Sequence, residues 1–319
     1  MIKEEKMQKI PVIIIAGPTA VGKTRLSIEI AKHFGTSIIS ADSMQVYKQM
    51  DIGTAKPTQE EMQNIRHYLI DEIEPWEDFS VAEYSRLACG YIEKISNEGK
   101  IPVIVGGTGL YINSIMYDMD FSGSSSNEDL RKELADYAQE HGAESLYSRL
   151  IELSPEGAAG IHPNNVKRVI RALEIFYETG EGKKDFASAP KLRDEYLPIL
   201  IVLSRDRKKL YELINMRVDM MMDAGLLEEV NRLMASGCDK NMVSMKGIGY
   251  KEIINYLEGL CTLDEAVEQI KMGSRRYAKR QLTWFRRYDF AKWIDVGEFE
   301  DHSSLLNFAI DYIEDILEK

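Results

Sequence analysis

"GPTAVGKT", residues 17 to 24, follows an apolar run at 12–16 and opens an amphipathic stretch that starts at Lys23. Gly17, Gly22, Lys23 and Thr24 fit the pattern G-x-x-x-x-G-K-[ST] in the strand–turn–helix setting that gives the pattern its meaning. The glycines let backbone N–H groups curl around an anion, and the following helix turns its positive end toward it. Lys23 carries a point charge to phosphate oxygens, and the Thr24 hydroxyl is the expected Mg²⁺ ligand. The whole stretch (Gly17, Pro18, Thr19, Ala20, Val21, Gly22, Lys23, Thr24) therefore reads as a phosphate cradle. Whose phosphate it holds is a separate question.

Working outward, short apolar runs alternate with helical patterns from 11 to about 117. PVIIIA, TSIIS and IPVIV read as strands, and 23–34, 81–95 and 110–117 as helices. Near-continuous apolar strands between helices predict a parallel sheet covered on both faces. The strand signals vanish between 120 and 196. There FSGSSSNED is a polar loop with helix-start chemistry, and 130–139, 144–153 and 165–179 have helical apolar spacing. LPILIVLS at 197–204 restores a buried strand. Long helices are expected near 206–223, 263–287 and 303–318, and FAKWIDV adds an edge strand. The predicted fold class is α/β, a P-loop core with a parallel β-sheet flanked by helices, plus a helical insertion. Residues 1–119 form the core's first part, 120–196 the insertion, and 197–319 the second part with the C-terminal helices.

The chain has 319 residues, enough for one large domain and an insertion. Three dispersed cysteines without CxxC spacing fit a reducing cytoplasm and give no zinc signature. No secretory signal or membrane span is apparent, and nothing calls for more than a monomer. Net charge is −12, which taken alone argues against a nucleic-acid partner. Local patterning argues the opposite. "KMGSRRYAKRQLTWFRR", residues 271 to 287, holds Lys271, Arg275, Arg276, Lys279, Arg280, Arg286 and Arg287 and no acid. Such a run is the footprint of a phosphate backbone. Tyr277 and Trp284 share a helical face and read as packing.

Absences narrow the chemistry. IPVIV ends in Gly106-Gly107-Thr108-Gly109, with none of the carboxylates a nucleotide hydrolase places there for Mg²⁺. No NKxD reads guanine, and Asp206 is best used as a helix N-cap. Asp42 is the best-placed acid, because it ends the second strand on the side where open α/β sheets hold ligands. It has a bland reading, a cap for the turn 43–47, and a chemical one, a general base or outer ligand to Mg²⁺.

GPTAVGKT, ADSMQVYKQMDIGTAKP, IPVIVGGTGLYI, HPNNVKRVIRALE and YAKRQLTWFRR occur in this order. Together they resemble the tRNA dimethylallyltransferase (isopentenyltransferase) family over nearly the whole chain, with a departure around 181–196. The resemblance implies transfer of a dimethylallyl group from dimethylallyl diphosphate to the exocyclic amine of the adenosine 3′ of the anticodon. The phosphate loop and Mg²⁺ would then stabilise a diphosphate leaving group, with Arg217 as a second clamp and Asp42 as general base. By the same resemblance, Asp42, Ser43, Met44, Gln45 and Thr108 lie at the reacting adenosine. Lys167, Arg168 and Arg171 of the insertion, Lys246, and Arg275, Arg276, Lys279, Arg280 and Gln281 contact the tRNA and its anticodon stem-loop. Glycines 106, 107, 109, 247 and 249 would allow close backbone approach, and for 106, 107 and 109 a merely structural tight turn is an equal alternative. Two other readings stay open on the residues alone. A P-loop kinase of a small metabolite leaves the basic stretch idle, and a non-catalytic RNA-binding protein makes Lys23, Thr24 and Asp42 coincidental.

Overall fold

The computed structural model describes residues 9–119, 127–180 and 191–319. Most of the polar loop expected before 128, and the family-divergent connection at 181–190, lie outside the described residues. The chain divides into two compact units, 9–116 with 193–319, and Tyr117–Leu192.

In the first unit the elements run β1 (Ile10–Ala16), α1 (Lys23–His33), β2 (Ile38–Ala41), α2 (Gln59–Met62), β3 (His67–Tyr68), α3 (Val81–Asn97), β4 (Val103–Gly106) and α4 (Gly109–Met116). The second unit holds α5 (Glu128–His141), α6 (Ala143–Leu153), α7 (Pro155–Ala158) and α8 (Val166–Thr179). The first then resumes with β5 (Tyr196–Ser204), α9 (Arg207–Asp223), α10 (Leu226–Ala235), α11 (Tyr250–Leu257), α12 (Leu263–Phe285), β6 (Lys292–Asp295) and α13 (His302–Leu317).

The six strands form one parallel sheet in the order β3-β2-β4-β1-β5-β6. β1 is central, with Ile13 paired to Val103 on one side and Ile199 on the other. Its residues from Val12 to Ala16 are at most 1% exposed, so an uninterrupted apolar run is what the position requires. The expected strand in FAKWIDV is β6, at the sheet edge beside β5. β3 and α2 escaped the sequence reading. β3 is two residues long and its pairing depends on β2, while α2 is a single turn closed by a capping box at Thr58. Asp206 is the N-cap foreseen for it, accepting from the Lys209 N–H at 3.0 Å.

Among the described residues, two apolar clusters of the first unit bear on the site. One packs on one face of the sheet, with Ile13, Ile15, Leu26, Ile201 and Ile214 among its members. The other joins Val46, Tyr47 and Met50 to Val218, Val230, Tyr250 and Ile270. The second unit closes on its own core of Leu134, Leu146, Leu150, Val169 and Leu173. Asn127 caps α5 by accepting from the Leu130 N–H at 3.0 Å.

Candidate active site

Gly17 and Gly22 are glycine for backbone reasons. Gly17 has φ +143°, and a Cβ there would meet the Leu203 carbonyl of β5 at 2.6 Å. Gly22 caps α1 with φ +104°, a left-handed conformation that only glycine adopts cheaply. The first turn of α1 contains no acid, so the positive helix end and its free N–H groups face the loop uncompensated. Lys23 Nζ donates to the Pro18 carbonyl at 2.7 Å. Burial, reinforced by the nearby Arg217 charge and opposed by Asp42, pulls the Lys23 ammonium down to about 7. Arg217, from α9, donates through Nη1 to Thr19 Oγ1 at 3.3 Å, and burial depresses its guanidinium also. Two desolvated cations thus converge on one loop, an arrangement that an incoming polyanion relieves.

Asp42 follows β2 directly. Its Oδ1 accepts from the N–H groups of Met44 (2.9 Å) and Gln45 (3.4 Å), so the capping role is real. It uses one oxygen. Oδ2 has no hydrogen-bond partner among the described residues, and Asp42 lines the same cavity as Lys23, Thr24 and Arg217. Thr108, after β4, accepts from the Ser43 N–H at 3.1 Å and ties the Asp42 turn to the glycine turn. Gln45 Nε2 donates to the carbonyls of Thr54 (3.3 Å) and Ala55 (3.2 Å).

The cavity that Lys23, Asp42, Gln45 and Arg217 line measures ≈ 390 Å³. Lys23, Arg217, Lys246, Lys251 and Arg280 line it against the single carboxylate of Asp42. In a protein of net charge −12, five cations to one acid mark an anion site. Ile214, Val218, Met221, Ile248 and Ile270 give it an apolar side. No cluster of three or more His, Cys, Asp or Glu suited to a metal occurs among the described residues. The donor set near the loop, the Thr24 hydroxyl with no acid cage, suits a Mg²⁺ held mainly by ligand phosphates and water.

Several residues expected at the RNA also hold the fold together. Gln281 is buried, and its amide is engaged at both ends: Oε1 accepts from Thr19 N–H (3.1 Å), and Nε2 donates to Gly107 O (3.0 Å). It bridges the phosphate loop to the glycine turn. The glycines of that turn are required by packing, in keeping with the structural alternative. A Cβ on Gly106 would meet Ala41 O at 2.1 Å, on Gly107 Gln281 Nε2 at 2.1 Å, and on Gly109 the Trp284 ring at 2.3 Å. Gly247 likewise makes room for Met44 Cε, which a Cβ would meet at 2.6 Å. The basic stretch is not one free stripe. Lys271 is bound to Asp219 (2.7 Å) and Arg275 donates to Asn215 (2.6 Å), so both fasten α12 to α9. Arg276, Lys279, Arg280, Arg286 and Arg287 are exposed. In the second unit Lys167 and Arg168 are exposed, whereas Arg171 is ion-paired with the fully buried Glu174, which Arg131 also meets at 2.9 Å.

Tyr277 is the residue that sequence reasoning undervalued. It lies on the cavity wall, where burial and the Asp42 charge push its phenol up to about 12, while hydrogen bonding to Thr108 and Gln281 opposes them. The available signal was its spacing of four from Gln281, which puts both on the face of α12 turned toward the loops. Lys251 was also missed. It stands in the first turn of α11, beyond the glycine-containing link that follows Lys246, and both lysines line the cavity.

Fold and site define a P-loop α/β protein with a cation-lined cavity in which an acid faces the phosphate cradle. The sequence model of the family described as IPP transferase matches residues 45–288. A tRNA dimethylallyltransferase of Clostridioides difficile (strain 630) is 54% identical over 97% of this chain and 99% of its own length. One from Bacillus cytotoxicus is 48% identical over 95% and 96%. The full-length tRNA isopentenylpyrophosphate transferase structure from Bacillus halodurans superposes with a TM-score of 0.71 at 42% identity, covering 97% of this chain and 98% of that one. A eukaryotic dimethylallyltransferase captured acting on tRNA gives 0.81 at 28% identity, over 97% and 80%. The chain belongs to the IPP transferase family.

Proposed function

We propose that this chain transfers a dimethylallyl group from dimethylallyl diphosphate to the N6 amine of the adenosine 3′ of the anticodon in tRNA, releasing diphosphate. One observation carries the reading: a phosphate loop, two desolvated cations and Asp42 share one cavity that also has an apolar side. Loop N–H groups, Lys23 and Arg217 hold the diphosphate and take up charge as the allylic C–O bond breaks. Mg²⁺, with the Thr24 hydroxyl among its ligands, would supply further neutralisation of that leaving group. The adenine amine is a poor nucleophile because its lone pair is delocalised into the ring. As the N–C bond forms, Asp42 Oδ2 takes the amine proton, an assistance typically worth ~10²–10⁴-fold.

An adenosine in an anticodon loop can leave its stack at less cost than one in a duplex. Exposed cations of α12 and its C-cap (Arg276, Lys279, Arg286), with Lys167 and Arg168 of the second unit, supply phosphate contacts for the RNA. No helix among the described residues is long and apolar enough to cross a membrane. The chain acts as a monomer, since one copy carries loop, base and cations together.

The test is incubation with dimethylallyl diphosphate, Mg²⁺ and an unmodified anticodon stem-loop, followed by mass analysis of nucleosides. A prenylated adenosine and stoichiometric diphosphate are expected. Transfer of phosphate from ATP to a small acceptor, with no prenylated nucleoside, would replace this reading with a kinase.

A further inference from the structure

α10 buries one face, Leu226, Glu229, Val230 and Leu233, and Glu229 is an acid in an otherwise apolar row. It is 1% exposed. A carboxylate so placed is expensive unless donors replace its water. They do. Oε2 accepts from the backbone N–H groups of Asp51 (2.9 Å) and Ile52 (2.8 Å), and Oε1 from Gly53 N–H (3.0 Å) and Tyr250 Oη (2.7 Å). No lysine or arginine pairs with it among the described residues. Three consecutive N–H groups form a concave nest whose anion is a side chain of the protein itself.

The held segment leads to the site. Gly53 packs on the Tyr250 ring so closely that a Cβ would meet it at 2.6 Å, and Gly53, Thr54 and Ala55 line the cavity. The carbonyls of Thr54 and Ala55 accept from Gln45 Nε2, and Gln45 N–H donates to Asp42 Oδ1. We infer that Glu229 is a positioning residue: through 51–53, 54–55 and Gln45 it fixes the cavity wall and the turn carrying Asp42, and so the placement of the adenine against the prenyl donor. The phosphate loop hangs from β1 and α1 and meets this network indirectly, through Gln281 and the glycine turn that Thr108 ties to Ser43. This inference rests on the transfer reaction proposed above.

The test compares wild type with Glu229→Gln and Tyr250→Phe. Gln keeps the shape but sets an amide N–H where Gly53 N–H needs an acceptor, and Phe removes one donor of four. Expected are folded variants that bind dimethylallyl diphosphate with Mg²⁺ as wild type does. Their kcat falls on the order of 10- to 100-fold for Gln and less for Phe, because small misplacements cost that much. KM for the stem-loop should rise. Wild-type kcat and KM in both variants, even with a lowered Tm, would make Glu229 a structural residue only and overturn the inference. So would a parallel loss of diphosphate binding. If Glu229→Gln does not fold, Tyr250→Phe decides alone. A wild-type protein that transfers no prenyl group would instead sink the underlying reading.

Discussion

Arg217 Nη1 lies 3.3 Å from Thr19 Oγ1, which brings a guanidinium from the middle of α9 onto a loop that precedes it by 198 residues. The contact joins two halves of the sequence into one anion site. Arg217→Gln should weaken prenyl diphosphate binding by roughly 10- to 100-fold, as expected for a charge-assisted contact worth about 1.5–3 kcal/mol. Folding should be preserved, since the guanidinium is destabilised by its own burial. Calorimetric titration with the diphosphate checks this. Unchanged affinity would make Arg217 an ordinary helix-face arginine.

Lys23 makes the same binding depend on pH. With its folded value near 7 against the ordinary 10.5, the free protein sheds this proton as pH rises through 7, while an unfolded chain keeps it until much higher pH. Folding is therefore opposed by Lys23 below about 7 and relieved between there and 10.5. A bound diphosphate favours the ammonium and raises its value. Affinity should stay level below about 7 and fall above it, with a proton taken up on binding near pH 8. Titrations in two buffers of different ionisation enthalpy read that uptake, and Lys23→Met should abolish it. Equal apparent enthalpies for wild type in both buffers would refute the linkage.

Asp42 separates binding from chemistry. Asp42→Asn keeps a carbonyl oxygen to accept from Met44 and Gln45, so the turn should stand, while proton removal is lost. Turnover should fall ~10²–10⁴-fold with RNA and diphosphate affinity nearly intact. Retention of more than about a tenth of wild-type turnover would confine Asp42 to the capping role.

What the sequence disclosed and what it hid follow from the range of the interactions involved. The phosphate loop, β1 and the Asp42 turn are local: glycine spacing, an apolar run and an Asx cap are written in consecutive residues. β6 and the α12 boundaries also declare themselves by period and capping. Gln281, Glu229 and Gly107 do not, because each takes its meaning from a partner more than a hundred residues away. Charge alone does not show that Lys271 and Arg275 tie α12 to α9, because their partners are invisible in the basic run. Arg217 came from resemblance, since a lone arginine in LYELINMRVDMM has no local signal.

Gln281 offers a direct contrast between bridge and RNA contact. Gln281→Leu leaves the part-buried Thr19 N–H and the buried Gly107 carbonyl without their partner, the latter at about 1–3 kcal/mol. A bridging role predicts a lower Tm and weaker diphosphate binding together. An RNA-contact role predicts a raised stem-loop KM with Tm and diphosphate affinity unchanged. Thermal unfolding and calorimetry on one variant choose between them.

The exposed cations of α12 can now be separated from those that hold the fold. Arg276, Lys279 and Arg286 are exposed and unpaired among the described residues, whereas Arg275 is fixed to Asn215. If the exposed three track an RNA backbone, stem-loop affinity should fall steeply with salt as counterions are released. Removing all three should weaken binding and flatten the slope of log K against log salt by about 0.7–0.9 for each lost phosphate contact. Arg275→Ala, by contrast, should lower Tm through the lost tie to α9 and leave the slope nearly unchanged. Diphosphate affinity should move little in the triple variant, because none of the three lines the cavity. Stem-loop dissociation constants at several salt concentrations, for wild type and both variants, decide the matter. A triple variant with the wild-type slope would clear this face of α12 and move the backbone contacts to Lys167 and Arg168 of the second unit, where the same measurement on their alanine variants would follow.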